Sequence, residues 1–276
     1  MYSGIVLPHF DPAAIHLGVF AIRWYSLAYI VGFIFALCVA KKMAHHRLPF
    51  MTKAQLDDLL FYSVLGVVIG GRLGYVFFYN FSYYMHHIGD IFKVWEGGMS
   101  FHGGLIGTIV IAILFARKQK IPLWSLGDIL VTVAPIGLFL GRLANFINGE
   151  LLGRVTTAVP WAMIFPTDEL ALPRHPSQLY EALGEGVFLG LLLNWLWWKS
   201  ALCRRHPGMI TGLFFVVYAL LRFSVEFYRA PDPQIGFIWG LSMGQWLCLP
   251  MALVGACIVL YSLRHPEAEK IGDAHG

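Results

Sequence analysis

The sequence predicts an all-α integral membrane protein of seven spanning helices, and three observations carry that prediction. Of 276 residues, 58% are hydrophobic and only 13% charged, about half the charged share of a soluble globular domain. The apolar residues arrive in seven blocks, each near the ~20 residues that a spanning helix needs. Basic residues gather in every second connection between those blocks. The shortage of charge excludes an ordinary water-soluble fold, and with it disorder and nucleic-acid binding.

The blocks run over 17–40, 56–78, 97–116, 123–147, 179–198, 208–228 and 238–263 within a single membrane domain spanning 1–276. Seven crossings place the termini on opposite sides. Lys41, Lys42, Arg47 and Lys53 follow the first block, Arg117, Lys118 and Lys120 the third, Lys199, Arg204 and Arg205 the fifth, and Arg264 and Lys270 the seventh, twelve in all. The N-terminal tail and the loops 79–96, 148–178 and 229–237 carry only Lys93, Arg154, Arg174 and Arg229. The positive-inside rule therefore predicts the N-terminus outside, the C-terminus in the cytoplasm and 148–178 as an outward head loop.

The first 17 residues hold no Lys or Arg, and the first block is too long for a signal-peptide core, so it is expected to stay as a membrane helix. Cys38, Cys203, Cys248 and Cys257 lie in spans or an inward loop without metal-ligand spacing. Neither a disulfide framework, a metal site nor a cofactor is expected. Most histidines, including the pairs His45-His46 and His86-His87, fall in loops or tails and read as solvated side chains.

Four arginines remain inside the blocks: Arg23, Arg72, Arg142 and Arg222. An Arg at mid-bilayer costs roughly 2.5–3.5 kcal/mol on the insertion scale, so each needs a partner, a wet cavity or an interface. Counted along the helices, all four sit roughly 8–12 Å below the outer surface. His102, Asn145, Asn148, Glu181, Glu185 and Glu226 converge on the same level, Glu226 one turn beyond Arg222. Snorkelling and self-neutralising pairs explain any single residue, but less readily the whole set in one leaflet.

Glycines recur at four-residue spacing at Gly66, Gly70 and Gly74, and again at Gly103 and Gly107, Gly137 and Gly141, Gly149 and Gly153, and Gly186 and Gly190. Small residues so spaced let helix backbones approach closely. An excess of guanidinium over carboxylate at one depth asks for an anion, and Arg grips phosphate with a planar fork of donors that keeps its charge. At the level of the outer headgroups, that phosphate belongs to a phospholipid.

The block Gly141-Arg142-Leu143-Ala144-Asn145-Phe146-Ile147-Asn148-Gly149-Glu150-Leu151-Leu152-Gly153 resembles the signature of the bacterial prolipoprotein diacylglyceryl transferases. Further stretches match in the family's order: Arg23-Trp24-Tyr25, Gly70 through Tyr75, Gly97 through Gly104, Arg174 through Glu181, and Arg222 with Val225 through Arg229. The resemblance implies a multi-pass enzyme of the bacterial inner membrane with seven helices and its N-terminus outside. It implies transfer of the diacylglyceryl group of phosphatidylglycerol to the lipobox cysteine thiol of a preprolipoprotein signal peptide, leaving a thioether and glycerol 1-phosphate. The segment 156–173 and the tail after Arg264 match no usable motif.

That chemistry assigns expected roles. Arg142 and Arg222 are the candidate phosphate clamp, because stabilising developing charge in a low-dielectric site is usually the largest catalytic contribution. Asn145 is placed to hydrogen-bond the headgroup, Glu150 to orient Arg142 or the leaving glycerol, and Tyr25, Arg72, Gly153 and Glu226 to line the substrate site. His102 is the candidate base for a thiol of pKa near 8.5; the arginines' field, Glu226 or a tyrosine is the alternative. No cysteine of the chain lies at the outward level, so the thiol must come from the partner substrate. A retinal protein is disfavoured because no lysine lies within a span. A coupled transporter is disfavoured because the polar residues crowd one leaflet. A lipid-binding scaffold without turnover stays open.

Overall fold

The computed structural model describes residues 4–17, 20–48, 51–231 and 236–266; Lys270, counted above among the inner basic residues, lies outside them. The chain begins its helical part with α1 (Trp24–Arg47), α2 (Lys53–Phe78), the short α3 (Phe81–His86), α4 (Phe101–Gln119) and α5 (Leu123–Asn148). A further helical run from Ser177 to Lys199 consists of α6 (Ser177–Glu181), a π-helical turn (Ala182–Phe188) and α7 (Leu189–Lys199). The short α8 (Ala201–Arg205), α9 (Met209–Val225) and α10 (Met243–Arg264) complete the set. Helices α1, α2, α4, α5 and α10 are long and apolar enough to cross a membrane, and α9 is a shorter apolar helix. The protein is thus a mostly helical, multi-pass membrane protein.

Local sequence sets the helix starts. Thr52 and Gln55 form a capping box at α2, and Ser242 with Gln245 forms another at α10. Ser100 caps α4 by accepting a hydrogen bond from the Gly103 N–H at 3.2 Å.

The apolar block 17–40 does not start as a helix. Strand β2 (Ala13–Leu17) pairs antiparallel with β3 (Phe20–Arg23), and only then does α1 begin. The Asp11 carboxylate accepts from the Ala13 N–H at 2.8 Å, and its carbonyl accepts from the Trp24 indole at 3.0 Å, tying the hairpin to the helix. Arg23 therefore ends a strand and is exposed, rather than lying inside a span. Hydropathy misses this because it sums apolar residues regardless of their period.

The contacts group the chain into two compact units, one of residues 37–129 and one of residues 1–36 with 130–276. In the first, the glycine spacing has a direct cause: α2 and α4 cross backbone to backbone. A Cβ on Gly74 would stand 2.8 Å from Gly103 Cα, and one on Gly66 would stand 2.9 Å from the Gly107 carbonyl. Any larger side chain forces these helices apart. Gly137 and Gly141, by contrast, have nothing within 4 Å of an added Cβ, so their spacing marks no such seam.

In the second unit, Ile5–Val6 (β1) pairs in parallel with Met163–Ile164 (β4), and bridges join Val155 and Met163 to Arg174. Arg174 grips both oxygens of Asp168, Nε to Oδ2 at 2.7 Å and Nη2 to Oδ1 at 2.9 Å. This fork holds the Asp168 carboxyl below the usual carboxylate range. Helices α9 and α10 meet where a Cβ on Gly255 would stand 2.8 Å from the Gly212 carbonyl.

Candidate active site

Three helical elements of the second unit aim charged side chains at one another. Arg142 projects from the last two turns of α5, Arg222 from the last turn of α9, and Glu181 and Glu185 from the helical run at and just after α6. Oε2 of Glu181 lies 2.7 Å from Arg142 Nε and 2.8 Å from Arg222 Nη1. Glu226, one turn beyond Arg222, places Oε2 2.7 Å from Arg222 Nη2. Arg229 adds a third guanidinium, its Nη1 3.7 Å from Glu226 Oε1. Glu185 stands further off, 3.6 Å from Arg142 and 3.8 Å from Arg222.

This geometry corrects the charge count made from sequence. Around the paired arginines stand Glu181, Glu185 and Glu226, so the three guanidiniums of Arg142, Arg222 and Arg229 meet three carboxylates. Within this cluster guanidinium is therefore not in excess, and Arg23 ends a strand. Glu181 and Glu185 were visible in sequence at four-residue spacing, whereas Arg229 lies past the end of α9 in a bridge to Gly153, where no helical spacing marks it. Sequence alone could not show that two helices share one carboxylate oxygen.

The backbone explains the convergence. The turn Ala182–Phe188 is π-helical, a rare form often found at functional sites. A Cβ on Gly186 would stand 2.6 Å from Phe139 Cβ; only glycine lets this turn approach α5 one turn before Arg142.

Tyr25, Asn145, Asn148 and Glu150 form an adjoining polar set. The Tyr25 hydroxyl donates to Glu150 Oε2 at 2.8 Å, and Asn145 Nδ2 contacts both the Tyr25 hydroxyl and, at 3.2 Å, the same Glu150 oxygen. Asn148 Nδ2 reaches Glu150 Oε1 at 3.3 Å. These bonds hold Glu150 against Tyr25 and the two asparagines. The turn that presents it is tight: Gly149 and Leu151 adopt φ of +64° and +57°, and the Gln178 amide donates to the Glu150 carbonyl at 2.6 Å. Leu151 is a non-glycine residue in the left-handed region, where strain is tolerated when surrounding bonds dictate it.

Gly153 is buried, and a Cβ there would stand 3.0 Å from His175 Cβ and closer still to the His175 carbonyl. Its bridge to Arg229 couples the segment after α5 to the residues that follow α9. Its place is that of a close backbone approach.

Arg72 is fully engaged in the unit 37–129. Its Nε donates to the Ile91 carbonyl at 2.8 Å, Nη2 to Asp90 at 2.5 Å, and Nη1 to Gly97 at 2.5 Å and Gly98 at 3.2 Å. At 4% exposure this guanidinium pins the loop between α2 and α4. His102, in the same unit, is exposed on the first turn of α4, its ring edge-on to Phe101 at 5.7 Å.

Comparison with known proteins identifies the family. The prolipoprotein diacylglyceryl transferase family model matches residues 12–261. The phosphatidylglycerol–prolipoprotein diacylglyceryl transferase of Bradyrhizobium diazoefficiens is 49% identical over 267 residues, covering 94% of each chain. That of Rhodospirillum rubrum is 49% identical over 266 residues, covering 96% of each. That of Bordetella parapertussis is 50% identical over 263, covering 94% of this chain and 98% of its own. With a match of this extent and identity, the chain belongs to the prolipoprotein diacylglyceryl transferase family.

Proposed function

We propose that the protein transfers the diacylglyceryl group of phosphatidylglycerol to the lipobox cysteine thiol of a preprolipoprotein, the first step of lipoprotein maturation. The cysteine sulfur attacks the glyceryl carbon that carries the phosphate. A C–S bond forms, the C–O bond breaks, and its electron pair leaves with the phosphate as glycerol 1-phosphate. The departing phosphate gains one negative charge in this step. The observation that carries the reading is the pairing of Arg142 with Arg222, two guanidiniums drawn to a single carboxylate oxygen beside the membrane-spanning helices.

In this reading Arg142 and Arg222 hold the phosphate and stabilise the charge it gains. Tyr25, Asn145 and Glu150 form a hydrogen-bonding edge for the headgroup glycerol, and Glu226 fixes Arg222. Gly153 supports the site through its close backbone approach to His175. His102 receives the thiol proton. The helical run Ser177–Lys199 and α9 serve as the two crossings that join the five long helices. With the N-terminus outside and the C-terminus in the cytoplasm, the arginine cluster lies at outer-leaflet depth in the inner membrane, below the head loop 148–178.

The test is direct. Purified protein is incubated with phosphatidylglycerol and a lipobox peptide, and the peptide is examined for the mass gain of a diacylglyceryl thioether alongside release of glycerol 1-phosphate. Both products are expected; lipid binding with neither product would leave only a lipid-binding scaffold.

A further inference from the structure

Glu181 forms and breaks no bond in the reaction above, yet one of its oxygens touches both arginines of the clamp. The side chain is 0% exposed, so water does not screen the carboxylate. Its position is built into the fold: Gln178, on the same helical turn, is tied to the Glu150 carbonyl, and the π turn that follows packs against Phe139 through Gly186. A guanidinium offers five N–H donors in a fixed fork. Oε2 of Glu181 lies within ion-pair distance of Arg142 Nε and Arg222 Nη1, so its charge draws both guanidiniums to one point of the fold.

The cluster is also balanced in charge. Arg142, Arg222 and Arg229 face Glu181, Glu185 and Glu226, a formal sum of zero. A phosphate entering this cluster meets fixed negative charge in a low-dielectric setting, and binds less tightly than it would to two bare guanidiniums. That matters most after the C–O bond has broken. The leaving phosphate monoester carries more negative charge than the diester it came from, so an uncompensated arginine pair would hold product more strongly than substrate.

We propose that Glu181 is a positioning residue and fixed internal anion for the Arg142–Arg222 pair: it orients both guanidiniums toward the lipid phosphate and loosens their grip on the departing glycerol phosphate. This rests on the transferase reading, and it separates Glu181 from a residue that merely holds helices together. Loss of a structural residue weakens turnover and ligand binding alike. Loss of an internal anion slows turnover and strengthens binding of the product anion.

The experiment uses the full chain in detergent, with glycerol 1-phosphate binding measured by calorimetry, inorganic phosphate as a second probe, and turnover measured separately. For Glu181→Gln, affinity for glycerol 1-phosphate is expected to rise about tenfold, from removal of a nearby like charge, while kcat falls about tenfold or more because the guanidiniums lose their orientation. Unchanged or weakened affinity overturns the proposal. Glu181→Asp keeps the charge but is one methylene short of touching both arginines. Its affinity should stay within about threefold of the parent with kcat reduced, and this variant decides the question if the Gln variant does not fold. Parental kcat in Glu181→Asp, or affinity falling together with kcat, overturns the proposal. If the parent protein binds glycerol 1-phosphate but forms no thioether, the transferase reading fails, and the titrations still decide the role of Glu181.

Discussion

The hydroxyl of Tyr25, in the first turn of α1, donates a hydrogen bond to Glu150 Oε2 at 2.8 Å across 125 residues of sequence. The bond joins the start of the first long helix to the turn that ends α5, with Asn145 bridging the same two groups. Helix starts move easily unless tertiary contacts hold them. Here the contact is to a charged acceptor, where hydrogen bonds are strongest. Tyr25→Phe keeps the ring and deletes the donor, so turnover should fall about 10- to 100-fold, the equivalent of ~1.5–3 kcal/mol for a hydrogen bond to a charged group. Thioether formation by purified Tyr25→Phe measures it, and parental turnover would remove Tyr25 from the site.

Arg142 and Arg222 each contact carboxylates through nitrogens set at fixed angles around the guanidinium plane. Lysine keeps the charge but presents a single ammonium. Arg142→Lys and Arg222→Lys should each lower turnover by roughly 100-fold or more, the scale seen when one charge-stabilising donor is removed. Either variant working at the parental rate would exclude that residue from the phosphate role.

Arg72 predicts a different phenotype, because its donors are committed to four carbonyls in residues 90–98. A lysine cannot satisfy carbonyls spread in this way, and a buried acceptor left without a partner costs about 1–3 kcal/mol. Arg72→Lys should expose the 81–98 loop to limited proteolysis and lower the melting temperature. A variant with parental protease resistance and a raised KM for phosphatidylglycerol would instead place Arg72 at the lipid.

The segment 148–178 carries an acid-sensitive pair. Arg174 lowers the folded-state pKa of Asp168, so the stability contributed by the pair is complete above the unfolded value of about 3.9. It is lost as pH falls through the lower folded value. Burial also lowers the pKa of His175, so the folded form resists protonation below about 6.5, which adds a milder loss at higher pH. Thermal unfolding followed from pH 7 to 3 should therefore decline gently at first and steeply below pH ~4. Asp168→Asn should start lower at neutral pH and lack the steep limb; a steep limb retained in that variant would assign it to other carboxylates.

His102 offers the least crowded test. It is exposed on the first turn of α4, where an Asn preserves hydrogen bonding without a titrating ring. If the imidazole receives the thiol proton, His102→Asn should reduce turnover about 100-fold, within the usual range for general acid–base catalysis. Unchanged turnover would transfer the role to the field of the arginines.

Much of the architecture is legible in the amino-acid order, since membrane helices announce themselves by length and apolarity. Blocks 56–78 and 123–147 correspond to α2 and α5 with shifts of a few residues at their ends. Gly66, Gly70, Gly74, Gly103 and Gly107 marked a real helix crossing because small-residue spacing is a local property. The hairpin before α1 was hidden, since strand pairing depends on a partner that a window average does not see. Arg72, Arg142 and Arg222 looked alike in sequence, each an arginine in an apolar block, and their surroundings separate them.

The sequence by itself determined the membrane class, the glycine seam and the family motifs around Arg142 and Arg222, because each is written in neighbouring residues. Only the tertiary structure decided that Arg72 serves a loop, that Glu181 stands between Arg142 and Arg222, and that the cluster is balanced in charge. The physical reason is range. Hydropathy and spacing act along the chain, whereas the state of a buried charge depends on which carboxylates and carbonyls other helices bring within 3–4 Å of it.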